Sequence, residues 1–184
     1  MPLPPDFRPM RLRSRSIARY PYLELVEHDV RDAGGAEHVV LTIELTDWCV
    51  AVARDDGGRW VLVEQHRHGV DDLTLEPAGG IVDPGEEPGA AALRELLEET
   101  GYRGLDPVPI GWVHPNPALS KNRSFAFFLD GVTKVAEPEH GVGEHTRVVL
   151  LDDAALDAAL RDGRITHALA VVALYRARMR IAQP

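Results

Sequence analysis

Between Gly80 and Tyr102 the chain passes from a glycine-rich stretch directly into a segment crowded with carboxylates, GIVDPGEEPGAAALRELLEETGY. This junction limits the fold more than any other feature. Gly79, Gly80 and Gly85 let the backbone turn sharply and approach a ligand, so Pro77 to Glu86 reads as a loop. Gly89 to Thr100 reads as a helix that stops at Gly101, a plausible C′ residue. Leu73 to Glu76, just upstream, is a short extended run, so the order expected is strand, loop, helix. At about 100° per residue, Glu95, Glu98 and Glu99 share an arc of about 100°, with Leu93, Leu96 and Leu97 on the opposite side.

Three carboxylates on one face repel. Like charges at i,i+3 and i,i+4 cost roughly 0.2 to 0.5 kcal/mol per pair, and only Arg94 offers a partner, to Glu98 one turn on. A hard divalent cation removes the repulsion, and Mg²⁺, with its octahedral shell of oxygens, suits the cluster. Glu86 can swing toward the same place. The competing explanation is a solvated acidic helix behind a glycine loop.

Gly80, then five residues to Glu86, then seven to Arg94-Glu95, followed by Glu98-Glu99 and Gly101, gives seven identities at fixed spacing. Their chance coincidence is on the order of 10⁻⁸ per starting position. This pattern resembles the Nudix hydrolase box, with Tyr102 in a slot that is usually aliphatic. The resemblance implies an α/β fold, a Nudix α/β/α sandwich with a mixed β-sheet, here with an N-terminal β-strand extension. It also implies Glu95 and Glu99 as principal metal ligands, assisted by Glu98, Glu86 and the Gly79 carbonyl. Arg94 is then expected to orient a glutamate through a charge-assisted hydrogen bond.

The remaining elements fit a mixed sheet covered by helices. Tyr22 to Val30 and Glu37 to Leu45 read as strands joined at Ala33-Gly34-Gly35, and residues 1–46 as an N-terminal hairpin extension. Residues 47–184 then form the catalytic domain. Trp48 to Ala53 and Arg59 to Gln65 flank the tight-turn sequence Asp55-Asp56-Gly57-Gly58. Val108 to His114, Ser124 to Leu129 and Arg147 to Leu151 complete the strands. Helices follow at Asp153 to Arg161 and at about His167 to Ile181, the latter with Thr166 as its expected N-cap. Arg8, Arg11, Arg13, Arg15 and Arg19 could reach substrate or partner, but are read first as a solvated tail.

Composition narrows the partners. With 184 residues, 45% of them apolar, the chain can bury a sizeable core, while a net charge of -9 argues against nucleic-acid binding by general electrostatics. Cys49 stands alone, which excludes an internal disulfide and a thiolate zinc cluster and fits a reducing, cytoplasmic setting. His66 and His68 find no third zinc ligand. No signal-like run opens the chain, and its longest apolar stretch, Ala168 to Leu174, is far too short for a bilayer, so no membrane partner is expected.

Outside the box, three features resemble the ADP-ribose and nucleotide-sugar branch of the family. These are Leu75-Glu76-Pro77-Ala78-Gly79-Gly80, Gln65-His66-Arg67, and Pro117 fifteen residues after Tyr102. They imply Mg²⁺-dependent hydrolysis of the diphosphate in ADP-ribose or a related nucleoside diphosphate sugar, with Mn²⁺ as the alternative ion. A homodimer, with N-terminal strands crossing to the partner, is also implied. Arg67 could fork onto a phosphate or be salt-bridged, and Glu76 belongs to the same substrate region. Trp48 could stack on a base or pack in the core. Asn116, Ser120 and Asn122 could bind a sugar or phosphate, or simply shape a polar turn. In the same branch the general base often lies in a late loop before a strand, where this chain has Glu144. The alternatives are a nucleoside triphosphate or coenzyme A diphosphatase of the same fold, and a non-catalytic nucleotide-binding regulator.

Overall fold

A computed structural model describes residues 7–139 and 146–182. It divides into two compact units, residues 1–46 with 114–122, and residues 47–113 with 123–184.

The first unit is built on a three-stranded antiparallel sheet, β1 (Met10–Tyr20), β2 (Leu23–Arg31) and β3 (Glu37–Leu45). Strand β1 was not expected. Arg11, Arg13, Arg15 and Arg19 lie in this strand rather than in a tail, and two of them are paired: Arg15 with Glu27, and Arg19 with Glu24 at 2.8 Å, on the neighbouring strand. Facing acidic side chains make a basic strand tolerable, because cross-strand opposite charges attract. His28 is buried at the centre, between the hydroxyls of Ser14 and Thr42, each 2.7 Å away.

The second unit holds the mixed sheet. Its central strand order is β11 (Thr146–Leu151), β5 (Trp60–Arg67), β4 (Trp48–Asp55), β10 (Ser124–Lys134) and β8 (Tyr102–Arg103). Strand β6 (Asp72–Glu76) pairs with β5, β7 (Ala78–Ile81) with β4, and β9 (Val108–Val113) with β10. The β4–β10 pair is parallel and the other ladders are antiparallel. Alternation along β4 and β5 feeds two cores, one on each face of the sheet. Val50, Val52, Trp60 and Leu62 pack with Leu156 of α2 (Asp153–Arg161) and Leu174 of α3 (Ala168–Ile181). Cys49, Ala51, Ala53 and Val61 pack with Leu96 of α1 (Pro88–Thr100). Helices on both faces give the α/β/α layering within this unit.

Three local expectations change. Residues 78–81 form strand β7 rather than loop, since glycine without a side chain pairs flat against β4. Helix α3 is capped by His167, not Thr166, and His167 makes no side-chain cap because its ring is committed elsewhere. In α1 the buried positions are Ala91, Ala92, Leu96 and Thr100, while Leu93 and Leu97 are half-buried. The core stripe is therefore rotated toward Glu95 and Glu99, which flank it rather than oppose it. Tyr102 is buried in the same cluster, so its bulk is accommodated.

The stop of α1 is over-determined. Gly101 adopts φ 72°, its N–H returns to the Leu97 carbonyl at 2.8 Å, and a Cβ there would collide with the Ala136 carbonyl. Gly101→Ala is expected to destabilise the fold by about 2 kcal/mol or more, a left-handed conformation plus a backbone clash. Urea unfolding checks this, and a loss near zero would mean that the helix can end another way.

Candidate active site

Strand β7 is the platform. It pairs with β4 through Cys49–Gly80 and Val50–Gly79, and α1 packs over it. A Cβ on Gly79 would strike the Cys49 carbonyl, and one on Gly80 would overlap the Glu95 carboxylate. Gly79 thus lets β7 lie close against β4, and Gly80 lets the Glu95 carboxylate lie directly on sheet backbone. The Gly79 N–H donates to Glu99 Oε2 at 2.9 Å.

Around this platform the charges are arranged by Arg94. Its Nε and Nη2 donate to the two Glu86 oxygens, each at 3.0 Å, and its Nη1 donates to Glu95 at 2.8 Å and Glu98 at 3.1 Å. Nη2 also reaches the Ile81 carbonyl at 3.0 Å. One guanidinium therefore binds three carboxylates and the strand, where a single partner, Glu98, was expected. These hydrogen bonds, led by that of Arg94, lower the Glu86 pKa, and Glu86 in turn raises that of Arg94.

Glu99 differs from the others. Burial pushes its carboxyl up to about 8, opposed by the Gly79 N–H and reinforced by the negative charge of Glu95. A desolvated carboxylate beside another carboxylate favours a proton or a cation as its neighbour. The donors are all hard oxygens, which fits a hard divalent ion better than a soft one. Among the described residues no group of three or more His, Cys, Asp and Glu side chains is already gathered around a point that could hold an ion. Burial pushes the Cys49 thiol up to about 12, which removes it as a nucleophile.

A second polar cluster adjoins β7. Glu76, 2% exposed, receives both Arg67 Nε and Nη2 at 2.9 Å, the Thr74 hydroxyl and the His167 ring. Burial alone would raise its pKa, but the hydrogen bonds from His167, Arg67 and Thr74 outweigh it and hold the carboxylate at about 2. Arg67 also lies over the Trp48 ring, 5.8 Å from its centroid. Trp48, Arg67, Glu76, Gly79 and His167 line one small crevice. Of the two roles open to Arg67, the salt bridge is the one seen, and Trp48 packs in part against the core. His167 was not singled out by sequence, because its partner lies 91 residues away.

The polar loop residues fall in the first unit. Asn122 is buried, donating to the Thr46 carbonyl at 3.1 Å and accepting from the Ser120 hydroxyl at 2.8 Å. Asn116 is exposed, and its carbonyl accepts from the backbone N–H groups of Leu119 and Ser120. Ser120 and Asn122 therefore shape the turn itself. Glu144 lies outside the described residues.

A box that folds as strand, loop and helix with its glutamates on the glycine strand marks a particular class of phosphate-handling domain, and residues 45–169 match the NUDIX domain family. The chain belongs to that family. Among its relatives, the CMP-5′-(N-acetyl-N-hydroxy-3-aminopropyl)phosphonate hydrolase of Streptomyces rubellomurinus is 32% identical over 77% of this chain and 62% of its own length. The ADP-sugar pyrophosphatase of Mus musculus is 52% identical over 50% of this chain and 44% of its own length. The ADP-ribose pyrophosphatase of Bacillus subtilis is 29% identical over 58% of this chain and 57% of its own length. The chain thus spans less than two thirds of the length of these three proteins. The solved structure of an ADP compounds hydrolase shares the fold, with a TM-score of 0.82 at 21% identity over 95% of this chain and 94% of that one.

The Glu76 cluster gives a pH-dependent expectation. A carboxyl held at about 2, against an ordinary value of 4.5, contributes stability that is present above pH 4.5 and is lost as pH falls toward 2. The ceiling is on the order of 3 kcal/mol. Denaturant unfolding between pH 2 and 7 should show Glu76→Gln weakest relative to the parent near neutrality, with the two curves converging in acid. A constant gap across that range would remove the linkage.

Proposed function

We propose that this chain hydrolyses the diphosphate linkage of ADP-ribose or a related nucleoside diphosphate sugar, giving a nucleoside monophosphate and a sugar phosphate. The observation that carries the proposal is the contact of Glu95 and Glu99 with strand β7, where a Cβ on Gly80 would overlap the Glu95 carboxylate and the Gly79 N–H donates to Glu99. Support for the substrate class comes from relatives named for ADP-sugars, ADP-ribose and a CMP conjugate.

Glu95 and Glu99 would hold Mg²⁺, or Mn²⁺, with Glu98, Glu86 and the Gly79 carbonyl assisting. When bound, the ion supplies charge neutralisation on the diphosphate and a more acidic water. The chain's own residues do the rest. Arg94, tied to Ile81 and Glu86, keeps Glu95 and Glu98 from splaying apart. Gly79 N–H fixes the rotamer of Glu99. Burial of Glu99 excludes water that would otherwise compete for its oxygens. Such prearranged charge is where most of the acceleration in phosphoryl transfer arises.

On the substrate side, Trp48, Arg67 and Glu76 would form one wall, with the fork on Glu76 keeping the Arg67 guanidinium rigid beside the indole. Asn116, Ser120 and Asn122 would act through the shape of their loop, and Glu144 is assigned the general base. A homodimer is proposed from the apolar surface of the three-stranded sheet, where Tyr20, Val39, Leu41 and Leu45 are exposed. Sedimentation at micromolar concentration tests it. The setting proposed is cytoplasmic; no helix of the described residues is long and apolar enough to cross a membrane.

Release of AMP from ADP-ribose, of GMP from GDP-mannose and of diphosphate from nucleoside triphosphates, each with Mg²⁺, should favour the first two. A clear triphosphate preference sinks the substrate class. Glu99→Gln should lower turnover by roughly three orders of magnitude, as for removal of a principal electrostatic group, while nucleotide binding survives in part. Unchanged turnover would remove Glu99 from the centre. Glu144→Gln with full activity would move the base elsewhere.

A further inference from the structure

One row of side chains crosses the second unit's sheet beside the site. Thr74 on β6, Gln65 on β5 and Thr146 on β11 are direct cross-strand partners. Antiparallel partners project to the same face, so the three stand side by side. Both outer members are satisfied. The Thr74 hydroxyl donates to the Glu76 carboxylate, and the Thr146 hydroxyl donates to the Glu99 carbonyl at 2.8 Å. The middle member is not: Gln65 Nε2 is the one buried side-chain nitrogen or oxygen without a hydrogen-bond partner among the described residues.

An amide N–H₂ withdrawn from water with no acceptor costs roughly what a hydrogen bond is worth, so folded chains leave few of them. Gln65 stands between two anchored neighbours. One neighbour leads to Glu76 and the Arg67 guanidinium, and the other leads to Glu99. Arg67, two residues on along β5, points the same way along the strand and adds positive charge. Protein carboxylates in the row already have donors. An acceptor for Gln65 is therefore sought outside the described residues, and the nearby Arg67 guanidinium favours an anionic one.

We infer that Gln65 is a substrate-contacting residue whose amide N–H₂ is completed by an oxygen of the bound diphosphate. The inference rests on the diphosphate reading given above and deepens it, assigning to Gln65 a contact that neither the metal-binding box nor the Arg67 fork provides. It also gives a reason for a polar side chain at a position continuing the buried valine face of Val61 and Val63.

The experiment compares the parent with Gln65→Met, which keeps the length and removes the amide, and with Gln65→Ala as a second variant. Since the amide is unpartnered in the free protein, Gln65→Met should unfold at the same temperature or higher. Its kcat/KM for ADP-ribose should fall about 10- to 100-fold, the range for losing a hydrogen bond to a charged group. Calorimetric binding in metal-free buffer should show a weaker Kd for ADP-ribose and for ADP, which retains the diphosphate without the second sugar. Equal affinities of parent and variants, or a loss confined to ADP-ribose, would overturn the assignment. So would a clear fall in the melting temperature of Gln65→Met, which would mark the amide as a structural group. Absence of ADP-ribose turnover by the parent would sink the activity reading alone, because the binding comparison still decides Gln65.

Discussion

The close approach of helix α1 to strand β7 is the contact on which the second unit depends. Two carboxylates are brought onto sheet backbone there, Glu95 over Gly80, where any side chain would block it, and Glu99 onto the Gly79 N–H. Burying charge beside charge is unfavourable unless hydrogen bonds or counter-charges answer it. Arg94 answers for Glu86, Glu95 and Glu98, and the Gly79 N–H answers for Glu99. The balance is incomplete at Glu99, whose carboxyl is pushed up to about 8 by burial. A carboxylate left in that state favours a proton or a cation as its neighbour, unlike one in a closed structural network.

The Glu76 cluster shows the opposite solution. There a buried carboxylate is fully answered, by donors from β5, β6 and the start of α3, and its charge is locked in. The consequence is rigidity. Arg67 is clamped in both of its forked nitrogens, Trp48 lies beneath it, and α3 is tied to the sheet through His167 instead of through an ordinary helix cap. A responsive carboxylate and a fixed one thus stand side by side, separated by β7. Rigid walls around a responsive centre are what preorganised catalysis requires.

Much of this was legible in the chain. The helix from Pro88 to Thr100, its stop at Gly101, the turn at Asp55 to Gly58 and both C-terminal helices follow from local rules of backbone freedom and periodicity. What escaped was governed by pairing. Strand β1 was hidden by its arginines, of which Arg15 and Arg19 find their counter-charges only across the ladder, at Glu27 and Glu24. Strand β7 looked like loop because glycine signals turning unless a neighbour is known to lie against it. His167 gave no local sign at all, since its significance lies in a partner on β6, and the motif that holds Gln65 gave no sign of its unpartnered amide.

The sequence by itself determined the family, the carboxylate chemistry and the order of strand, loop and helix, because seven identities at fixed spacing and a helical repeat are local properties of the chain. The tertiary structure decided which carboxylates are answered and which are left responsive. It turned the core stripe of α1 toward Glu95 and Glu99, gave Arg94 three acidic partners in place of one, and fastened Arg67 to Glu76. Hydrogen bonding and desolvation act through space over a few ångströms, and sequence separation carries no record of them.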